Sequence, residues 1–175
     1  MAIMSLQGVI LLNTATFDLR PIGTAVTPYN EHSGVPIQPN QGSRQVAQII
    51  IEPEYRAGLA DLDGFERIWV LSILNRTKDY KLKVVPFRDT VLRGLFSTRA
   101  PSRPNPIGLS LLRLLSVDRE NGILTVRGID LLNNTPIIDI KPYVPRFECY
   151  PQSKSGWLDY GADTETSDDR FAHDD

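Results

Sequence analysis

Cysteine and histidine are nearly absent: the 175 residues hold Cys149 alone and two histidines, His32 and His173. One thiol excludes an intrachain disulfide and a Cys-rich zinc site, and it suits a reducing compartment. Two distant imidazoles offer no metal cluster, so no metal is expected. Long apolar runs are missing as well. The longest early one, Val9 to Leu12, is far too short to span a bilayer, and no positive side chain precedes it as in a secretory leader. The chain therefore reads as cytoplasmic, without a membrane partner. The glycine loops of nucleotide enzymes are also lacking. No two of the twelve glycines stand two residues apart, so there is no G-x-G-x-x-G turn, and no Gly-Lys-Ser/Thr is there to cradle a triphosphate. Gly108-Leu109-Ser110 begins like a nucleophile elbow, but Leu112 stands where the second Gly belongs. With no His near it in sequence, covalent serine catalysis has weak support.

What is present suits one folded unit. A domain takes roughly 100–200 residues, and a hydrophobic fraction of 41% is enough for one core. The formal charge of −2 hides an asymmetry. Six acidic residues and one basic one fall between Asp163 and Asp175, a composition expected to be disordered. Between Arg76 and Arg113, nine basic side chains face only Asp79 and Asp89, a net +7 in 38 residues. Such a run either attracts phosphates or forms a solvated face. The expected organisation is a domain over residues 1–150, followed by a C-terminal extension, 151–175, that ends in the acidic tail.

Most periodic segments have strand character. Arg44 to Ile51 and Arg67 to Leu74 are β-branched or apolar runs, and Pro53 closes the first by removing a ladder donor. Pro53 to Leu62 is one short helical candidate. Ile107 to Val117 and Ile123 to Arg127 flank a turn at Glu120-Asn121-Gly122, and Leu132-Asn133-Asn134 turns into a strand from Thr135 to Ile140. Many short strands with one or two short helices predict a mainly β fold, a small closed or nearly closed β-barrel of non-Rossmann type.

Two stretches are dense in chemistry. In Gly94 to Ser110, GLFSTRAPSRPNPIGLS, prolines 101, 104 and 106 stiffen the backbone that displays Arg99, Arg103 and Asn105. Rigid display lowers the entropy lost on binding, although the same prolines also suit a barrel corner whose arginines cap carbonyls. In Gly128 to Tyr143, GIDLLNNTPIIDIKPY, the charged Asp130, Asp139 and Lys141 interrupt apolar sequence and need partners. An Asp139–Lys141 pair is not expected, because side chains at i and i+2 share a face but sit well apart.

These two stretches, with PIGTAVTPY and LADLDGFERIWVL upstream, resemble the TrmO (TsaA-like) family of S-adenosylmethionine-dependent tRNA methyltransferases from about Ile22 to Pro145. The resemblance implies a β-barrel homodimer. It also implies transfer of a methyl group to N6 of threonylcarbamoyl-adenosine beside the anticodon of threonine-accepting tRNA. By motif it places the methyl donor against Pro39, Asn40 and Gln41, Asn75 and Arg76, Arg99, Leu109, and Arg127, Gly128, Ile129 and Asp130. Family members commonly carry His-Gln where this chain has Asn75-Arg76, and some bacterial members continue into a further domain where this chain has its acidic tail.

Those residue types suit the task. A carboxylate such as Asp130 can hold a ribose diol, and a guanidinium fork such as Arg99 a methionyl carboxylate. Backbone groups of Arg127 to Ile129, with Leu109, suit an adenine ring. Methyl transfer is an in-line displacement that needs alignment and the loss of one proton. Asp139 is the candidate base, with Tyr143 behind it; a structural Asp139 is the alternative. Arg103, Lys141, Lys81 and Lys83 are candidate tRNA phosphate contacts. Two other readings stay open: methyl transfer to a small molecule, and a non-catalytic module binding an adenosine ligand or RNA.

Overall fold

In the computed structural model the described residues are 17–39, 45–160, 166–168 and 171. Eight strands follow in chain order: β1 (Gly23–Val26), β2 (Val46–Ile51), β3 (Arg67–Ile73), β4 (Lys83–Val84), β5 (Arg93–Gly94), β6 (Ile107–Asp118), β7 (Ile123–Arg127) and β8 (Pro136–Pro142). Six of them close an antiparallel barrel in the order β1-β2-β7-β6-β3-β8, while β4 and β5 pair with each other outside it. The expected mainly β, closed-barrel class is the observed one. The single helical candidate became two 3₁₀ turns, Pro53–Leu59 and Leu62–Gly64, and one short α-helix, α1, covers Pro145–Glu148.

Alternation explains the barrel. In β2 the side chains of Ala47, Ile49 and Ile51 point inward, and in β7 those of Leu124 and Val126 do, leaving every second position to the outside. These residues, with Ile68, Val70, Leu112 and Ile137, form one core. Along β3 and β6 the inward positions turn polar toward one end. Ser72 and Ser110 are both buried there, and Ser72 lies opposite Gly108. A Cβ on Gly108 would meet Ser72 Oγ, so only glycine lets the two strands close at this end.

The β6–β7 turn uses Gly122 at φ 72°, and the turn before β8 uses Asn134 at φ 63°. That second turn is tied to β1: Thr27 Oγ1 donates to Leu131 O at 3.0 Å, and Asn133 Oδ1 accepts from Thr27 N at 3.2 Å. The DLLNNT loop is thereby fixed above the barrel end that carries Ser72 and Ser110.

Part of the C-terminal extension folds back over this end. Thr166 bridges to Pro36, Ser167 N donates to Val35 O at 2.8 Å, and Phe171 packs edge-on against Phe87 with centroids 5.2 Å apart. Phe171 joins a second apolar cluster of Val84, Leu95 and Ala100. The described residues of the expected disordered tail are thus packed; the rest of that tail, including Asp163, Glu165 and Asp169, lies outside the described residues.

Candidate active site at one end of the barrel

A cleft of about 780 Å³ opens at the polar end of the barrel, a size in the range of small-molecule sites. The ends of β3 and β6 supply Leu74, Asn75, Arg76, Ile107 and Leu109. The segment after β7 supplies Asp130 and Leu131, and the proline-rich stretch supplies Phe96, Arg99 and Arg103. Ser167, Phe171 and the Trp157 side chain complete the wall from the C-terminal extension.

Asp130 is the focal group. Ser110 Oγ donates to its Oδ1 at 2.5 Å. Desolvation in the cleft wall pushes its carboxyl up to about 7, opposed by the Ser110 hydrogen bond and by the positive charge of Arg99. Part of the residue's surface still faces the open cleft, so the carboxyl can meet a ligand. Gly128, two residues earlier, holds φ 87°, and a Cβ there would strike Pro39 O. Only glycine lets the 36–39 loop close down on the strand end that presents Asp130.

The arginine loop is organised by its own second arginine. Arg103 Nη1 donates to the carbonyls of Leu95, Thr98 and Ala100 at 3.4, 3.0 and 3.4 Å. Thr98 Oγ1 accepts from Ala100 N at 3.3 Å and donates to Leu95 O. Arg99 is exposed on this frame, its Nη1 donating to Gln38 Oε1 at 2.8 Å.

The candidate residues therefore divide. Asn75, Arg76, Arg99, Arg103, Leu109 and Asp130 meet in the cleft. Pro39 is buried against Gly128, and Ile129 belongs to the barrel core. Arg127 is exposed at the end of β7. Asn40 and Gln41 lie outside the described residues. Lys81 and Lys83 are exposed on the β4 side.

Asp139, Lys141 and Tyr143 do not line their own chain's cleft. The sequence argument against an Asp139–Lys141 pair is corrected here: Lys141 Nζ stands 2.6 Å from Asp139 Oδ2. The four-carbon stem of Lys bends back over the intervening residue, a reach that Cα spacing alone ignores. Asp139 Oδ1 also accepts from Ile140 N at 2.9 Å. Tyr143 packs edge-on against Trp69 at 6.0 Å, and desolvation together with Cys149 pushes its phenol above the ordinary value.

Sequence reasoning missed Ser110 as a partner of Asp130, having weighed it only as a nucleophile. It also missed the cleft residues of the C-terminal extension. Ser110 carried a signal, an inward polar position beside Gly108 in an otherwise apolar strand; Trp157 and Phe171 carried none short of the fold.

The geometry fits a nucleoside bearing a charged tail: a carboxyl for a diol, a guanidinium for a carboxylate, and Leu109, Leu131 and Ile107 for an aromatic base. Among the described residues no group of three His, Cys, Asp or Glu could hold a metal, and no helix is long and apolar enough to cross a membrane. Residues 24–149 match the family model of the tRNA-methyltransferase O N-terminal domain. An S-adenosyl-L-methionine-binding protein of Archaeoglobus fulgidus is 41% identical over 77% of this chain and 94% of its own length. The tRNA (adenine(37)-N6)-methyltransferase of Escherichia coli is 32% identical over 82% of this chain and 64% of its own. The crystal structure of TrmO from Pseudomonas aeruginosa superposes with a TM-score of 0.69 at 31% identity, covering 83% of this chain and 64% of that one.

Proposed function

The chain belongs to the tRNA-methyltransferase O family, and from that premise we propose that it is an S-adenosylmethionine-dependent methyltransferase acting on the N6 atom of an adenine beside the tRNA anticodon. The observation that carries the reading is the Asp130 carboxyl, held by Ser110 in the wall of the cleft beside Leu109 and Leu131 and faced by the charge of Arg99. S-adenosylmethionine, when bound, supplies an electrophilic methyl on a sulfonium. Asp130 accepts from the ribose hydroxyls, Arg99 holds the methionyl carboxylate, and Leu109 and Leu131 shield the base from water. Aligning the donor methyl with the incoming nitrogen is then the main task of the protein.

The finer parts of the proposal are threonylcarbamoyl-adenosine as acceptor, a cytoplasmic location and a homodimer. The dimer is tied to the role of Asp139 and Tyr143: neither lines its own cleft, so a part for either in taking the N6 proton requires the cleft of a second copy. Mixing Arg99→Ala and Asp139→Asn chains tests this, since activity returning in the mixture requires one intact shared site.

Labelled S-adenosylmethionine and total tRNA test the whole reading. Label recovered in modified adenosine supports it. S-adenosylhomocysteine binding without RNA labelling favours a small-molecule acceptor or a binding module, and absence of binding removes the enzyme assignment. Arg99→Ala is expected to weaken S-adenosylhomocysteine binding about 10- to 100-fold, the worth of a charge-assisted hydrogen-bond pair, with thermal unfolding unchanged.

A further inference from the structure

We propose that Phe96 and Trp157 form a stacking platform for the acceptor base at the mouth of the cleft; the proposal rests on the methyl-transfer reading above. Phe96 is 75% exposed while its neighbour Leu95 is 1% exposed, so the loop buries one apolar side chain and holds the next out in water. An exposed phenyl forgoes the stabilisation that burial would give it. It lines the cleft, as does Trp157. Trp157 Nε1 donates to Ser97 O at 2.8 Å, one residue from Phe96, which puts both rings on the same rim.

A cation lies against each ring. The Arg93 guanidinium stands 5.5 Å from the Trp157 ring centroid and is itself held by Asp89 at 2.7 Å. Arg93 does not line the cleft, whereas Arg103 does. The Arg103 guanidinium stands 5.7 Å from the Phe96 ring, fixed in turn by the loop carbonyls. Trp157, held by its cation and by its bond to Ser97, does not have to be ordered at the moment of binding, which removes part of the entropic cost.

The occupant this rim fits is a purine unstacked from an RNA loop. Enzymes that modify a base draw it out of its stack and hold it between aromatic or apolar faces, and base–aromatic stacking is tolerant of sequence because every base has a π-face. The rim continues directly into the cleft proposed to hold the donor, and Phe96 lies in the segment from Arg76 to Arg113, whose net charge of +7 suits a phosphate backbone. Trp157 stands beyond residue 149, the last one matched by the family model, so half of the platform is contributed by this chain's own extension.

The test compares Phe96→Leu, Trp157→Leu and Trp157→Phe in two measurements. In the first, both leucine variants are expected to raise the KM for tRNA about tenfold, equivalent to about 1.4 kcal/mol, with S-adenosylhomocysteine affinity unchanged and Trp157→Phe close to wild type. In the second, an adenosine-bearing anticodon stem-loop should quench indole emission in the wild type but not in Trp157→Phe, which retains Trp69. Phe96 is exposed, so its replacement leaves folding intact even if Trp157→Leu loosens the extension. Unchanged KM for tRNA in Phe96→Leu and no quenching would overturn the platform. Equal losses of S-adenosylhomocysteine and tRNA affinity would assign the rings to the donor instead. A wild type that binds S-adenosylhomocysteine yet labels no tRNA would sink the underlying reading, an outcome visible before any variant is made.

Discussion

Asp130 combines cost and use in one carboxyl. Its value of about 7 lies above the 3.8 of an unfolded aspartate, so between those values the folded protein binds the extra proton. Stability therefore falls as pH rises through that window, and the penalty persists above it. Asp130→Asn should raise the melting temperature at about pH 8 by roughly 2–4 °C, about 1 kcal/mol once the open cleft is allowed for, and change little near pH 4 or below. Ligand affinity should run the other way. A carboxylate accepts from a diol better than a carboxylic acid does, so calorimetry with S-adenosylhomocysteine should show tightening from about pH 6 to about pH 8 in the wild type and a flatter profile in Asp130→Asn. A profile that is flat in both would remove Asp130 from the ribose.

At the scale of elements, the strands legible in sequence were the longer ones: β2, β3, β6, β7 and β8 all lie where period two, β-branched content and turn signals put them. β1 escaped because Gly23–Val26 is four residues with proline on either side of it nearby, and β4 and β5 because two-residue strands exist only by mutual pairing. Of the site, Arg99, Leu109 and Asp130 were reachable through the motifs that carry them. The wall made by Trp157, Ser167 and Phe171 was not, since it joins segments far apart in the chain through contacts that leave no local sequence pattern. The loop between β7 and β8 gives an element-level prediction. Gly128→Ala sets a side chain at φ 87° against Pro39 O, and should cost about 1–3 kcal/mol in chemical denaturation. It should also weaken S-adenosylhomocysteine binding by displacing the strand end that presents Asp130. An alanine variant as stable as the wild type would show that the 36–39 loop yields without strain.

For the whole molecule, the question is how a chain of net charge −2 meets RNA. The basic run is not one uniform face: Arg113 approaches Glu66 at 3.6 Å, Arg93 is paired with Asp89, and Arg76 and Arg99 line the cleft, leaving exposed Lys81 and Lys83 beside it. Replacing both lysines by glutamate should lower tRNA affinity at low salt and flatten its dependence on log salt by about two contacts' worth. S-adenosylhomocysteine binding should stay as it is. If neither the affinity nor the slope moves, phosphates are held elsewhere.

The barrel also has an unequal circumference. Where β1 meets β8, the register covers Gly23 with Ile137 and Thr24 with Pro136, and proline brings no amide hydrogen to that junction. The β3–β6 ladder, farther round the barrel, runs through seven pairs. Any opening of the cylinder is expected first along this short seam, and the Thr27 contacts to Leu131 and Asn133 tether the Asp130 loop to its edge. A nucleoside gripping that loop would act as a clasp on the seam, making occupancy of the pocket and closure of the barrel two aspects of a single equilibrium.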